Sequence, residues 1–141
     1  GILKTSPDIG MYTSVETGDC SIRNAFAAND AVSFGSIINA YTQPFLLLYN
    51  HRKDRGYRME AFAKAIRQSA AKPVCIGVIG EHKKACARYM QRTTGIRAQA
   101  VERPREWIRA QNVRHVLCAG NIKGEGRQFL EEMIEEARQN V

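Results

Sequence analysis

The chain has 141 residues, of which 44% are hydrophobic and 25% charged, and its formal net charge is +7. This length and composition predict one ordinary globular domain and exclude a disordered chain. The longest apolar stretch, residues 45–49, falls short of the roughly 18 residues that a membrane span needs. The charge favours anionic partners such as phosphates or a polyanion, although it is scattered and also suits a basic solvated surface.

The cysteines predict neither a disulfide framework nor a metal site. None of them forms a C-x-x-C pair, and most lie in apolar, strand-like or helix-like contexts. Such cysteines are typical of small buried hydrophobic residues in a reduced compartment. They are Cys20, Cys75, Cys86 and Cys118.

The first third of the chain predicts a hairpin, a helix and a buried strand. Residues 11–15 and 21–27 predict two strands, and the turn signal Thr17-Gly18-Asp19 lies between them. A helix is predicted from about residue 30 to residue 41. Its apolar positions include Val32, Phe34, Ile37 and Ile38, which are roughly helical in spacing. Residues 45–50 predict a strand, and four consecutive apolar side chains in it, without alternation, are typical of burial on both faces of a parallel sheet.

The remaining chain alternates helices with strands. Helices are predicted at residues 57–70, 83–91, 104–112 and 125–139. Strands are predicted at residues 73–79, 98–101 and 115–119. The order predicts an α/β, Rossmann-like fold, with a mostly parallel sheet, helices on both faces and an N-terminal β-hairpin. Residues 1–10 are interpreted as a linker or tag remnant, and residues 11–141 as a single domain.

Ligands of an open parallel sheet bind beyond the carboxyl ends of its strands, so the site is expected in the loops at that edge. The first loop places Asn29 and Asp30 at a predicted helix start. Either residue can cap the helix by accepting hydrogen bonds from free backbone N–H groups. The other is then free to bind a ligand amine or hydroxyl.

The second loop, residues 50–56, is rich in charge. Arg52 and Arg55 flank Asp54, and this pattern suits a carboxylate or phosphate ligand because the aspartate can orient a guanidinium group. The alternative is a solvated charged turn. His51 is expected to be an ordinary surface histidine rather than a catalyst.

The last loop, residues 120–126, contains three glycines between a predicted strand and a helix. Glycines let the backbone approach a ligand and expose N–H groups at a helix start, and Lys123 adds a positive charge. The spacing matches neither a Walker A loop nor G-x-G-x-x-G. The alternative to anion binding is a tight turn.

Two further features are interpreted as structural. Glu81 and His82 follow a predicted strand, and helix capping and surface roles rank above acid–base work for them. Trp107 lies among arginines on a predicted helix. It is expected to be a partly buried anchor rather than a platform for stacking nucleic acid bases.

Four segments of the chain, residues 24–31, 48–55, 76–81 and 120–124, share their order and spacing with a known family. They resemble the carboxy-terminal part of poly-γ-glutamate synthase catalytic subunits of the CapB/PgsB type, which are similar to the Mur ligases of cell-wall synthesis. The resemblance covers nearly the whole chain and implies a fold like the Mur ligase C-terminal domain. Mur ligases generally carry an aspartate where this chain has Ala25, and often a proline where it has Asp30. The role of the Mur ligase aspartate is therefore not transferred to this chain.

The resemblance implies an ATP-dependent amide ligase that polymerises glutamate through γ-amide bonds by way of an acyl-phosphate intermediate. ATP and Mg²⁺ are then bound mainly by an upstream domain, so the chain alone is expected to be inactive. The residues assigned to catalysis are Arg52, Asp54 and Arg55. Substrate binding is assigned to Asn29, Asp30, Asn50, Asn121 and Lys123. Cofactor binding is assigned to Gly120 and Gly124, and no residue is assigned to a metal.

The resemblance also implies partners. They are glutamate and the growing poly-γ-glutamate chain, the upstream ATP-binding domain, and the membrane subunits of a capsule or polyglutamate synthase complex. The expected location is cytoplasmic, at the inner face of the cell membrane. One alternative is a Rossmann-like module that binds a nucleotide or small anion without catalysis. Nucleic acid is not an expected partner, because that alternative rests only on the net charge of +7.

Overall fold

The computed structural model describes residues 14–26 and 30–139, which form a six-stranded sheet with helices on both faces. The strands are β1 (Ser14–Glu16), β2 (Ser21–Asn24), β3 (Phe45–His51), β4 (Ile76–Gly80), β5 (Ala98–Ala100) and β6 (His115–Gly120). The helices are α1 (Ala31–Ile38), α2 (Gly56–Gln68), α3 (Lys83–Thr94), α4 (Pro104–Gln111) and α5 (Glu125–Gln139). The predicted α/β, Rossmann-like fold is confirmed, while predicted strand residues 11–13 and 27 and the predicted linker, residues 1–10, lie outside the described residues.

The strand order is β1-β2-β6-β3-β4-β5, and only the pairing of β1 with β2 is antiparallel. β6 lies between β2 and β3. The five strands from β2 to β6 all run parallel, so their carboxyl ends share one edge of the sheet. From that edge α2 leaves β3 toward one face, whereas α5 leaves β6 toward the other. In open α/β sheets a crevice forms where neighbouring connections diverge in this way.

The core consists of two layers, one on each face of the sheet. Helices α1, α2 and α3 cover one face, and α4 and α5 cover the other. All seven residues of β3 are buried, which confirms the prediction of a strand covered on both sides. Side chains alternate along β3, so Leu48 and Asn50 point toward the α5 side, whereas Tyr49 and His51 point toward the α1–α3 side.

One of the apolar positions predicted for α1 lies outside the core. Val32 is 81% exposed, whereas Phe34 and Ile38 are buried and Ile37 packs against the core. Two residues along a helix correspond to a rotation of about 200°, so Val32 cannot share the face of Phe34. The apolar residue at position 32 therefore lies on the outer face of α1.

Many element ends differ from the predicted ones by one or two residues, and those of α1, β4 and α3 named next differ by three. α1 ends at Ile38, β4 begins at Ile76, and α3 continues to Thr94. Pro73, the predicted start of β4, has no N–H group to donate to a sheet ladder. Gly95 ends α3 as expected, because it adopts a φ of +75° and its N–H donates to Gln91 O at 2.9 Å.

Several smaller expectations are confirmed. The hydroxyl oxygen of Thr17 accepts from the N–H of Asp19 at 3.2 Å and of Cys20 at 3.1 Å, which closes the predicted turn. Trp107 is 7% exposed, and a Cβ at Gly77 would stand only 2.8 Å from its ring. All four cysteines are free and buried, and burial raises the pKa of the Cys86 thiol to about 12. None of the described helices combines the length and apolar character that crossing a bilayer requires.

Candidate functional site

Asn50, near the carboxyl end of β3, holds the loop that connects β6 to α5. Its side chain is buried, and Nδ2 donates to Asn121 O at 2.5 Å and to Lys123 O at 2.7 Å. Its backbone oxygen accepts from the N–H of Asn121 at 2.9 Å. The loop is pinned further because Asn121 Oδ1 accepts from the N–H of Lys123 at 2.8 Å. Asn50 therefore sets the position of Lys123 relative to β3.

Glycines let the neighbouring backbone approach Asn50. Gly80 and Gly120 both adopt a φ of +97°, which L side chains rarely adopt. A Cβ at Gly120 would stand 2.4 Å from Asn50 O, and one at Gly126 would stand 2.6 Å from Asn50 Nδ2. Close packing against Asn50 therefore explains why these two positions of the predicted anion-binding loop are glycines. Gly124, with a φ of +62° and nothing within 4 Å of a Cβ, has open space beside it.

The loops after β3 and β4 are also joined. His51 Nδ1 lies 2.8 Å from Glu81 O, and the N–H of Glu81 donates to His51 O at 3.0 Å. Since a carbonyl oxygen only accepts, Nδ1 carries the proton. Glu81 Oε1 in turn accepts from the N–H of Lys53 at 3.0 Å. The expectation that His51 is a surface histidine is wrong, because the residue is 6% exposed and wedged between the two loops.

Arg52, Asp54 and Arg55 form a compact charged cluster in the β3–α2 loop. Asp54 lies between the two arginines, with Arg52 Nε at 3.2 Å from Oδ1 and Arg55 Nη1 at 3.6 Å from Oδ2. The N–H of Arg55 donates to Arg52 O at 3.0 Å, which folds the loop into a turn. One carboxylate therefore orients two guanidinium groups, and the cluster keeps a net positive charge.

A lysine that the sequence did not single out links three loops of the same edge. Lys83 Nζ lies 3.0 Å from Glu125 Oε1 and 3.3 Å from Glu102 Oε1, and the Lys83 side chain is only 16% exposed. Burial opposes the charge of the Lys83 ammonium, but its hydrogen bonds to Glu125 and Glu102 outweigh burial and raise the pKa of Lys83 above 10.5. The signal available was that Lys83 and Glu125 each begin a predicted helix at this edge.

These connections enclose a cleft of about 310 Å³ at the carboxyl ends of β3, β4 and β6. The cleft is lined by Asn50, His51, Arg52, Gly80, Glu81, Lys123, Gly124 and Glu125. It lies between the strands whose helices diverge to opposite faces, where an α/β sheet is expected to bind its ligand. Among the described residues no group of three or more His, Cys, Asp or Glu side chains is placed to hold a metal ion.

Residues 12–136 match the family model of the poly-γ-glutamate synthase CapB C-terminal domain. The chain belongs to this family. No curated protein matches it significantly. The family suspected from four short sequence segments is thus confirmed over most of the chain.

In this CapB C-terminal domain the predicted site residues are partly brought together. Asn50, Arg52, Lys123 and Gly124 line the cleft. Asn121 contributes through its backbone oxygen, which accepts a hydrogen bond from Asn50 Nδ2. Asp54 and Arg55 are joined to the cleft through their ion pairs beside Arg52. Gly120 contacts the backbone of Asn50 instead of open space.

The remaining two predicted residues belong to the first loop. Asp30 caps α1, because Oδ1 accepts from the N–H of Ser33 at 2.8 Å and Oδ2 accepts from its hydroxyl at 3.0 Å. These hydrogen bonds from Ser33 lower the pKa of Asp30. Asp30 is not among the described residues that line the cleft. Asn29 lies outside the described part of the chain.

The arrangement offers charges of both signs to a small ligand. Arg52 supplies a cationic donor from the loop after β3, and Glu81 a carboxylate from the loop after β4. Lys123 and Glu125 supply one charge of each sign from the β6–α5 connection. A guanidinium group binds carboxylates and phosphoryl groups in a fixed geometry, and a lysine adds a point charge. The cleft is therefore equipped to bind and orient a small charged molecule.

Proposed function

We propose that this chain is the substrate-binding domain of an ATP-dependent amide ligase that polymerises glutamate through γ-amide bonds by way of an acyl phosphate. Family membership ties the chain to poly-γ-glutamate synthase. The observation that carries the proposal is the convergence of Arg52 and Lys123, from the loops after two adjacent strands, on one cleft. Both substrates of such a ligase, the acceptor chain and the incoming glutamate, carry carboxylates.

In a ligase of this class a substrate carboxylate is phosphorylated at the expense of ATP. The amine of the incoming glutamate then attacks the acyl carbon, phosphate leaves, and the amine loses its proton. Arg52, oriented by Asp54, would fix a carboxylate and stabilise the negative charge that develops as phosphate departs. Lys123 would act on the same anionic groups from the opposite loop. Exclusion of water by neighbouring domains would protect the acyl phosphate from hydrolysis.

The proposal assigns ATP and Mg²⁺ mainly to a P-loop domain elsewhere in the synthase. The 141 residues contain no P-loop of the type Gly-Lys-Ser/Thr. Lys123 and the backbone around Gly124, just before α5, fit a contact to a phosphate edge, because free N–H groups cluster at a helix start. The growing polyglutamate chain and the membrane subunits of the synthase are proposed partners, at the cytoplasmic face of the membrane.

The test is Arg52→Ala in the complete synthase. We expect glutamate-dependent release of ADP and phosphate to fall by about 100-fold or more, because a fixed donor to developing charge is removed. The thermal midpoint of unfolding should stay close to that of the wild type, because the ion pair of Arg52 is with Asp54, a side chain that is 49% exposed, and such pairs add little stability. Arg103→Ala is the matched control, since Arg103 is an exposed, ion-paired arginine away from the cleft. Turnover at the wild-type rate in Arg52→Ala would refute the proposal.

The second candidate is a Rossmann-like module that binds a nucleotide or small anion without catalysis. It is favoured by the position of the cleft at the carboxyl edge of the sheet, where such folds bind nucleotides. Calorimetry on the chain with ATP, ADP and glutamate separates the two candidates. Tight nucleotide binding by the chain, combined with unchanged synthase turnover when Arg52 is replaced, would favour the binding module.

A further inference from the structure

We infer that the cleft selects an amino acid as a zwitterion, with the Glu125 carboxylate accepting the ligand's ammonium group and Arg52 and Lys123 facing its carboxylates. This inference rests on the proposed function and adds a residue and a selection rule to it. Glu125 was absent from the predicted site.

Most of the described charged side chains of the cleft have hydrogen-bond or ion-pair partners beside the cleft, and they do not pair with one another across it. Arg52 pairs with Asp54 in its own loop, and Glu125 pairs with Lys83. Glu81 accepts from the backbone of Lys53. Lys123 makes no ion pair with a described residue. Because these opposite charges do not form ion pairs with each other, they remain available to a ligand that itself carries both signs.

Glu125 is better suited than Glu81 to hold an ammonium group. Lys83 Nζ holds Glu125 through Oε1 at a distance of 3.0 Å. None of the described residues donates to Glu125 Oε2. A carboxylate accepts several hydrogen bonds, so the second oxygen retains its capacity. Glu81 has no ion-pair partner among the described residues, so no comparable contact holds its carboxylate in place.

The size of the cleft agrees with an amino acid. Its volume of about 310 Å³ lies at the lower end of the roughly 300–1,000 Å³ that is usual for small-molecule sites. Glutamate carries its ammonium group and α-carboxylate on one carbon and its γ-carboxylate at the other end. Glu125 and Lys123, at and just before the start of α5, would face the first two groups, and Arg52 in the β3–α2 loop would face the γ-carboxylate. A ligand that carries only negative charge would bring an anionic group against Glu125.

The test compares glutamate with glutarate, which keeps both carboxylates and lacks the ammonium group. Calorimetry on the 141-residue chain should show glutamate binding at least about 10-fold tighter than glutarate. Glu125→Gln should remove that preference, because glutamate affinity falls by about 10-fold or more while glutarate affinity stays the same or rises. Glu125→Asp, which keeps the charge on a shorter side chain, should retain part of the preference.

The matched control is Glu102→Gln. Glu102 also binds Lys83 Nζ, but it does not line the cleft, so its replacement removes a partner of Lys83 without removing the proposed acceptor. We expect the preference for glutamate over glutarate to survive in this variant. Three results would each overturn the inference. They are an equal loss of affinity for glutamate and glutarate in Glu125→Gln, an unchanged preference in that variant, and failure of the wild-type chain to bind glutamate. The proposed function is tested separately by turnover of Arg52→Ala in the synthase, so the two can fail independently.

Discussion

A groove between α4 and α5 is lined by residues that include Arg103, Arg105, Glu106 and, at the border with the cleft, Glu125. The cleft and this groove both carry charges of both signs, but the charges are paired differently. The groove is larger, about 360 Å³ against about 310 Å³ for the cleft. Its arginines close on nearby carboxylates: Arg105 pairs with Glu136, and Arg103 pairs with Glu106 at 3.5 Å. In the cleft, Lys123 has no ion-pair partner among the described residues. The groove therefore resembles an ordinary ion-paired surface.

The difference shows that the amount of charge around a depression says little about binding. Exposed ion pairs contribute about 0–1 kcal/mol each, so the pairs in the groove add little stability and leave little for a ligand. The cleft differs because hydrogen bonds from Asn50 and Lys83 hold its loops in fixed positions. Pre-positioned groups bind a ligand without first being ordered. If this comparison is right, substitutions that loosen the cleft cost far more than substitutions in the groove.

The largest effect is expected for Gly120→Ala. A Cβ at this position would stand 2.4 Å from Asn50 O, and the φ of +97° is strained for alanine. We expect the free energy of unfolding to fall by roughly 3 kcal/mol or more. Gly95→Ala is the control, because Gly95 has a φ of +75° with nothing within 4 Å, and about 1 kcal/mol is expected from φ alone. Equal losses in denaturant titrations would mean that contact with Asn50 is unimportant.

Asn50→Ala should have the next largest effect. It removes two hydrogen bonds to the carbonyl oxygens of Asn121 and Lys123 and leaves a cavity at a buried position. We expect a loss of about 2–4 kcal/mol in denaturant titrations. Asn39→Ala is the control, since Asn39 also bonds a distant backbone group, Ala70 N–H at 2.8 Å, but is exposed. A loss in Asn50→Ala no larger than in Asn39→Ala would contradict the assigned role.

Lys83→Met should have an intermediate effect of about 1–2 kcal/mol, because it leaves Glu102 and Glu125 without their shared cation. The pKa of Lys83 is raised in the folded chain, so its contribution is fully present below 10.5, its ordinary value, and is lost as pH rises through the folded pKa. The stability difference between wild type and Lys83→Met should therefore shrink only at strongly alkaline pH. Lys84→Met, at an exposed neighbouring position, should show no such difference at any pH.

The smallest effect is expected for Arg103→Ala in the groove. Its ion pair with Glu106 joins side chains that are 78% and 66% exposed. We expect the free energy of unfolding to change by no more than about 0.5 kcal/mol in denaturant titrations. A change as large as that in Lys83→Met would mean that the groove is also a built and fixed site, and the comparison with the cleft would fail.

Local patterns were sufficient to predict most of the fold. The uninterrupted apolar run of β3 predicted a strand covered on both faces, and Gly95 marked the end of α3. The roughly helical spacing of apolar residues in α1 did not separate Val32, which is exposed, from Phe34, which is buried about 200° further around the helix. His51 was expected at the surface, whereas it is buried beside Glu81, which follows another strand.

The candidate site was harder to predict, because its decisive contacts depend on strand order. Asn50 forms hydrogen bonds to Asn121 and Lys123, which lie 71 and 73 residues away in the sequence. A sequence does not reveal that β6 lies beside β3. The link from Lys83 to Glu125 spans 42 residues and needs three loops at one edge. Residue types were therefore predictable, but which of them would face a ligand and which would brace the backbone was not.

The insertion of β6 between β2 and β3 has a consequence for how the protein is made. Until residues 115–120 leave the ribosome, the hairpin of β1 and β2 has no bridge to the sheet formed by β3, β4 and β5. The nascent chain then carries two unpaired strand edges, which are prone to non-native pairing. β6 joins both pieces and, in the same step, brings Lys123 beside Asn50. Assembly of the cleft thus has to wait for synthesis of β6, and a chain shortened before β6 would lack both the joined sheet and the cleft.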